Sequence, residues 1–179
     1  MIAPPGSPNI RSWASRPDRY NRPVTDPAIE AARTFVGHSL DAMRRAIVGS
    51  SPELLNWRPA GDETNSIAIL AVHAVTSTRW WLSVAITGNA PERNRAAEFR
   101  TNISSAAQLL SIVDALSADC RELLKSDEPL DLAVSRTDPR KGGSTTTVAW
   151  ALIHAIEHLQ EHVAHAELTR QMWKLTGGA

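Results

Sequence analysis

The sequence predicts an all-α fold: an antiparallel four-helix bundle with an extended N-terminal arm and a long loop before the last helix. Three observations predict it. Four segments of roughly 20 to 28 residues repeat apolar side chains at the helical period. Most open on a residue that caps helices, and glycine follows two of their ends. A helix that is apolar along one side can be buried only against its neighbours, so four of them make a bundle the economical solution. With 179 residues the chain has room for one domain with a substantial core. It divides into an arm over residues 1–24 and a bundle over residues 25–176.

The arm carries several prolines and no hydrophobic period, and reads as extended or disordered chain that Trp13 and Tyr20 could pin to the domain. Asp26-Pro27, an N-cap followed by proline at the first helical position, opens the first helix. Ile29, Ala32, Val36, Leu40, Met43 and Ile47 carry it to about Ser50, with Asp41 and Arg45 as a surface pair one turn apart. Residues 52–65 form a connector holding one short helical turn. The second helix runs from about Ser66 to Thr87, with Gly88-Asn89 as its stop. A third opens at Ser104 or Ser105, passes through Leu109, Val113, Leu116 and Cys120, and ends near Asp127. In residues 128–144 the weak alternation from Leu130 to Ser135 suggests a short strand. The last helix spans about Thr145 to Lys174, before Gly177-Gly178.

That last helix holds the most informative feature of the chain. Its segment from Trp150 to His165 contains four of the six histidines: His154, His158, His162 and His165. With His154 at zero on a wheel of 100° per residue, the others lie at roughly 40°, 80° and 20°. This is one imidazole stripe beside the apolar arc of Leu152, Ala155, Ile156, Leu159, Val163 and Ala166. His158 and His162 sit closest to the buried edge. Imidazoles four residues apart can grip one divalent ion, and neutral imidazole suits zinc, nickel, iron or copper.

Composition narrows the function classes. Nineteen basic residues balance nineteen acidic ones, and the basic residues are scattered, so neither nucleic acid nor an anionic membrane is an expected partner. A single cysteine, Cys120, excludes an internal disulfide framework and fits a reducing compartment. No signal peptide and no run of ~20 apolar residues is evident, so the expectation is a soluble cytoplasmic protein. His38 has no partner at useful spacing and reads as a solvated position. Cys120 reads as a small buried residue rather than a nucleophile. His154-Ala-Ile-Glu-His158 and His158-Leu-Gln-Glu-His162 match the inverted zinc-protease motif only formally, because no room remains downstream for its further ligand.

A lone histidine in the second helix, in Ser66-Ile-Ala-Ile-Leu-Ala-Val-His73, followed by a closing helix of pattern His-x-x-Glu-His-x-x-x-His, resembles the DinB-like superfamily. That group includes mycothiol-dependent maleylpyruvate isomerase-like proteins, and the resemblance covers about residues 26–175. By itself His73 would read as a hydrogen-bonded core histidine. The resemblance implies instead that His73, His158 and His162 bind one divalent ion at the end of the bundle interior, zinc or nickel ahead of iron, manganese or cobalt. Many relatives carry glycine two residues beyond the last ligand, where this chain has Ala164.

Three nitrogens leave an ion with an open position, the arrangement of a reactive rather than a closed site. Each ligand should donate its second ring N–H to an acceptor, and Glu157 and Glu161 are near the stripe. His154 could serve as such a partner or as an alternate ligand. Ser77 and Trp80, one and two turns beyond His73, should line the same cavity, with walls from residues 52–65 and 128–144. No catalytic residue is assigned. The expected function is a metal-dependent enzyme on a small molecule, a thiol-dependent S-transferase or isomerase using a low-molecular-weight thiol, or a hydrolase. The alternative is a non-enzymatic metal-binding stress-response or dimeric structural protein. A homodimer is expected from the resemblance.

Overall fold

The computed structural model describes residues 26–125, 129–138, 140, 142 and 144–177. The expected arm, with Trp13 and Tyr20, lies outside them, as does Asp127. Six α-helices and one two-stranded hairpin follow in order: α1 (Pro27–Ile47), α2 (Pro52–Asn56), α3 (Ile67–Thr87), α4 (Arg95–Glu98), α5 (Ala106–Leu123), β1 (Ser135–Thr137), β2 (Thr145–Thr147) and α6 (Val148–Leu175). A single 3-10 turn, Gly61–Glu63, lies between α2 and α3.

Local chemistry sets the helix ends. Asp26 caps α1 by accepting the backbone N–H groups of Ala28 and Ile29, and its other oxygen takes that of Leu130. Ser66 caps α3 and Ser105 caps α5 through their hydroxyls, satisfying donors that the first turn leaves unpaired. Gly88 ends α3 in the left-handed region at φ 77°, where a side chain would be strained.

The four long helices pack in a ring: α3 against α5 and α6, and α1 against the same two. Cross-helix contacts give their directions. Arg33 donates to the Leu124 carbonyl, Asp41 accepts from Arg121, and Arg44 pairs with Asp114, so α1 and α5 run antiparallel. Trp81 meets Trp150 and His154, while His73 meets His158 and His162, so α3 and α6 are antiparallel too. Arg170 near the end of α6 donates to the Arg45 carbonyl near the end of α1. Hence α1 and α6 run the same way, and so do α3 and α5, which corrects the expected all-antiparallel arrangement. Two parallel helices cannot be joined by a tight turn. Residues 88–105 must therefore travel back along the bundle before α5 begins, and α4 lies on that return.

The core is continuous across the ring, with Leu40, Met43, Ile47, Trp81, Leu82, Leu109 and Leu159 fully buried. Among the described residues only the stretch containing α3 is long and apolar enough to cross a membrane, and most of it is buried in the fold. That is what a central helix packed on three sides requires.

Four local expectations are corrected. The strand lies not at Leu130–Ser135 but at Ser135–Thr137, paired antiparallel with Thr145–Thr147. Residues 132 and 133 turn instead. The last helix consequently starts at Val148, because Thr145 to Thr147 spend their backbone bonds on the hairpin, and Thr147 then caps the helix. The third long helix stops at Leu123, short of Asp127. Asp41 pairs with Arg121 across the bundle rather than with Arg45 on its own helix.

Candidate metal centre

His73 lies in the second turn of α3, and His158 and His162 lie on the facing turns of antiparallel α6. The rings of His73 and His158 have centroids 5.1 Å apart, those of His73 and His162 5.2 Å, and those of His158 and His162 4.4 Å. One nitrogen from each of the three falls within 4.8 Å of the others. Imidazole nitrogen binds zinc at about 2.1 Å, so three nitrogens this close can share one ion once they draw together around it. His154 and His165, on the same stripe, stay outside this cluster. The His154 ring stacks on Trp150 at 4.7 Å, with Nδ1 3.4 Å from exposed Glu157. His165 is exposed, 5.7 Å from His162 by ring centroids.

The partner of His73 comes from the return connection, not from α6. Asn94 caps α4 by accepting the Ala97 N–H, and that single turn presents Glu98 inward at 5% exposure. Glu98 Oε2 lies 2.8 Å from His73 Nδ1. Arg93 binds the same carboxylate in two places, Nε to Oε1 at 2.7 Å and Nη2 to Oε2 at 2.8 Å. Its remaining terminal nitrogen donates to Ser77 Oγ at 3.3 Å. Burial pushes the Glu98 carboxyl up, but the bonds and charges of Arg93 and His73 outweigh it and hold the group at about 2. An ionised carboxylate only accepts, so Nδ1 of His73 carries the proton in that bond, which leaves Nε2 as the ring's atom for a metal.

Burial keeps the other two rings, His158 and His162, neutral. Burial, then the neighbouring His162, His73, His154 and Arg93, lower His158 to about 3. Burial, then His73 and His165, lower His162 to about 4. Both therefore sit in the ligating form at neutral pH. Nδ1 of each is buried without a hydrogen-bond partner among the described residues. Unpartnered buried nitrogens on two neutral rings beside an oriented third ring fit a divalent cation.

These shifts predict acid sensitivity of the metal-free protein. A histidine whose folded pKa lies below the ordinary 6.5 takes up its proton later in the folded state than in the unfolded chain. Its stabilisation is complete above that value and is lost as pH falls toward 4 for His162 and 3 for His158. Glu98 adds a second loss between 4.5 and about 2. Urea midpoints measured with chelator present should begin to fall below about pH 6.5, and His158→Gln should flatten that limb. A midpoint constant down to about pH 4 would contradict the assignment.

The cluster opens on a cavity of about 560 Å³, lined by His73, Ser77, Trp80, Trp81, His154 and His158, by Ala90, Pro91, Arg93 and Arg95 of the return connection, and by Arg140. Ser77 and Trp80 thus stand where their spacing from His73 put them. The walls differ in part from expectation: Arg140 comes from residues 128–144, but Ala90, Pro91, Arg93 and Arg95 supply another side, while Pro59, Ala60, Thr64 and Asn65 line a separate cavity of about 350 Å³ with His165. Glu161 is exposed and Glu157 touches only His154, so the carboxylate behind the ligands is Glu98. Ala164 is exposed as well, away from the packed side of α6. His38 is exposed. Cys120 is fully buried, and burial pushes its thiol up to about 12, which leaves it unreactive.

Sequence reasoning missed Arg93, Glu98 and Arg140. A usable signal was the length of residues 88–105, since most helix connections in bundles are about 2–8 residues and longer ones tend to carry function. A family model described as DinB superfamily matches residues 36–166, a stretch that includes the three clustered histidines, Arg93 and Glu98. No curated protein and no solved structure matches the chain.

Proposed function

Because the chain belongs to the DinB superfamily, we propose that it is a metal-dependent enzyme acting on a small molecule, by S-transfer or isomerisation with a low-molecular-weight thiol. The observation that carries this reading is the cluster of three imidazoles, two of which, His73 and His158, line a cavity large enough for a ligand. An ion held only for stability would be enclosed by its ligands. His73, His158 and His162 would hold zinc or nickel, with iron, manganese or cobalt as further occupants. When bound, the ion keeps a thiol or a water deprotonated at neutral pH.

The protein's own groups do the positioning. Glu98 fixes the His73 tautomer, and Arg93 fixes Glu98. Trp80 and Trp81 make part of the wall apolar, which strengthens every charge interaction inside it. Hydrolysis would use the same site with water in place of the thiol. We assign the protein to the cytoplasm, where thiol cosubstrates are kept reduced.

The test is turnover of an activated aryl chloride with cysteine or glutathione by the zinc- or nickel-loaded protein. Conjugation should depend on the ion and fall at least about a hundredfold in His158→Ala, a loss of roughly 3 kcal/mol of transition-state stabilisation. Full metal occupancy with no turnover for any thiol or for ester hydrolysis would favour a metal-binding role without catalysis.

A further inference from the structure

The chain carries no net charge, yet the cavity beside the histidines is strongly one-sided. Arg93, Arg95 and Arg140 line it together with imidazoles, and among the described residues no aspartate or glutamate does. The three arginines differ in how far they are already engaged. Arg93 spends its donors on Glu98 and Ser77. Arg140 lies 4.4 Å over the ring of Trp81 and gives Nε and Nη2 to the two oxygens of buried Asp138, at 3.0 and 2.8 Å. Its Nη1 makes no hydrogen bond among the described residues. Arg95 rests 4.6 Å over Phe99 and pairs with no carboxylate among the described residues.

We propose that this cavity binds a small organic anion through Arg95 and the free edge of Arg140, with its apolar body against Trp80 and Pro91. The proposal rests on the reading of the cavity as a substrate site and names the class of substrate. Arg93 with Glu98, and Arg140 with Asp138, each sum to zero, which leaves the uncompensated charge of Arg95 at the wall. A guanidinium fork accepts carboxylate and phosphate oxygens alike through parallel N–H bonds. The indole beneath Arg140 holds its plane fixed, so little freedom is lost when the free edge is engaged. An anion seated there lies in the same chamber as His73 and His158, with its body between the arginines and the imidazoles.

The experiment is calorimetric titration of the protein, with chelator present, using naphthoate, naphthyl phosphate and the neutral naphthalenemethanol. Removing the ion ensures that direct coordination of the anion contributes nothing. At least one of the two anions should bind, and at least tenfold more tightly than the alcohol. Which anion binds more tightly assigns the headgroup. Arg95→Gln, at an exposed position, should fold normally and weaken binding of that anion at least fivefold, and Arg140→Gln should weaken it further. Equal binding of the alcohol, anion binding unchanged in both variants, or no binding of either anion would overturn the proposal. Metal content measured on the same preparations before chelator is added reports separately on the three-histidine site. A protein that binds the anion but no metal would refute the enzymatic reading alone, and one that binds metal but no anion would refute this inference alone.

Discussion

Glu98→Ala is expected to destabilise the metal-free protein by about 3–5 kcal/mol, the cost of removing one partner from a buried ion pair. Glu98 is 5% exposed, and the Arg93 side chain that holds it 13%. Removing the carboxylate leaves the guanidinium, among the described residues, with Ser77 Oγ and His73 Nδ1 at 3.3 Å each and no anionic partner, and takes from His73 Nδ1 its carboxylate acceptor. Water would have to enter a site walled by Trp80 to solvate either group. Glu98→Gln separates the two roles of the side chain. It preserves volume and one acceptor, so most of the fold stability should survive. The neutral amide no longer favours the Nδ1–H tautomer, and metal affinity should drop about 10–100-fold. Urea denaturation of both variants, with metal titrations monitored by a competing chelator, checks the two statements. A Glu98→Ala loss below about 1 kcal/mol would show that water replaces the carboxylate cheaply.

Metal content should divide the histidine stripe in two. Untagged wild-type protein is expected to carry about one equivalent of a divalent ion. His73→Ala, His158→Ala and His162→Ala should each carry essentially none, because two imidazoles on a partly open wall retain an ion poorly. His154→Ala and His165→Ala should keep it, since the first ring is committed to Trp150 and the second points to solvent. Elemental analysis of the six proteins decides the matter. Loss of the ion in His154→Ala to the same extent as in His158→Ala would move the centre one turn toward the start of α6.

How much of this was legible beforehand differs by residue. The wheel singles out His158 and His162, because they sit closest of the four to the buried arc, and these are the two that cluster with His73. Ser77 and Trp80 follow from helical spacing to His73. Glu157 and Glu161, the acids nearest in sequence, were the natural choice for the carboxylate behind the ligands, and both project outward. Adjacency along a helix does not put a carboxylate behind a ring that faces inward. The group that does so arrives from a different segment.

The sequence by itself determined the elements: the four long helices, caps at Asp26, Ser66 and one of Ser104 and Ser105, the glycine stop after α3, and the histidine stripe. Each of these is a local matter of period, capping hydrogen bonds and backbone freedom, which neighbouring residues decide among themselves. Only the tertiary structure decided the direction of the helices, and with it the site. Because α3 and α5 run parallel, residues 88–105 must cross the bundle again. That crossing lays Arg93 and Glu98 against His73, while the hairpin sets Arg140 on Trp81. These contacts join residues 20 and 25 positions apart, as in Arg93 with His73 and Glu98 with His73, and more distant ones such as Arg140 with Trp81. No local pattern encodes such pairs, because their energy is realised only when the packed core has fixed where each segment runs.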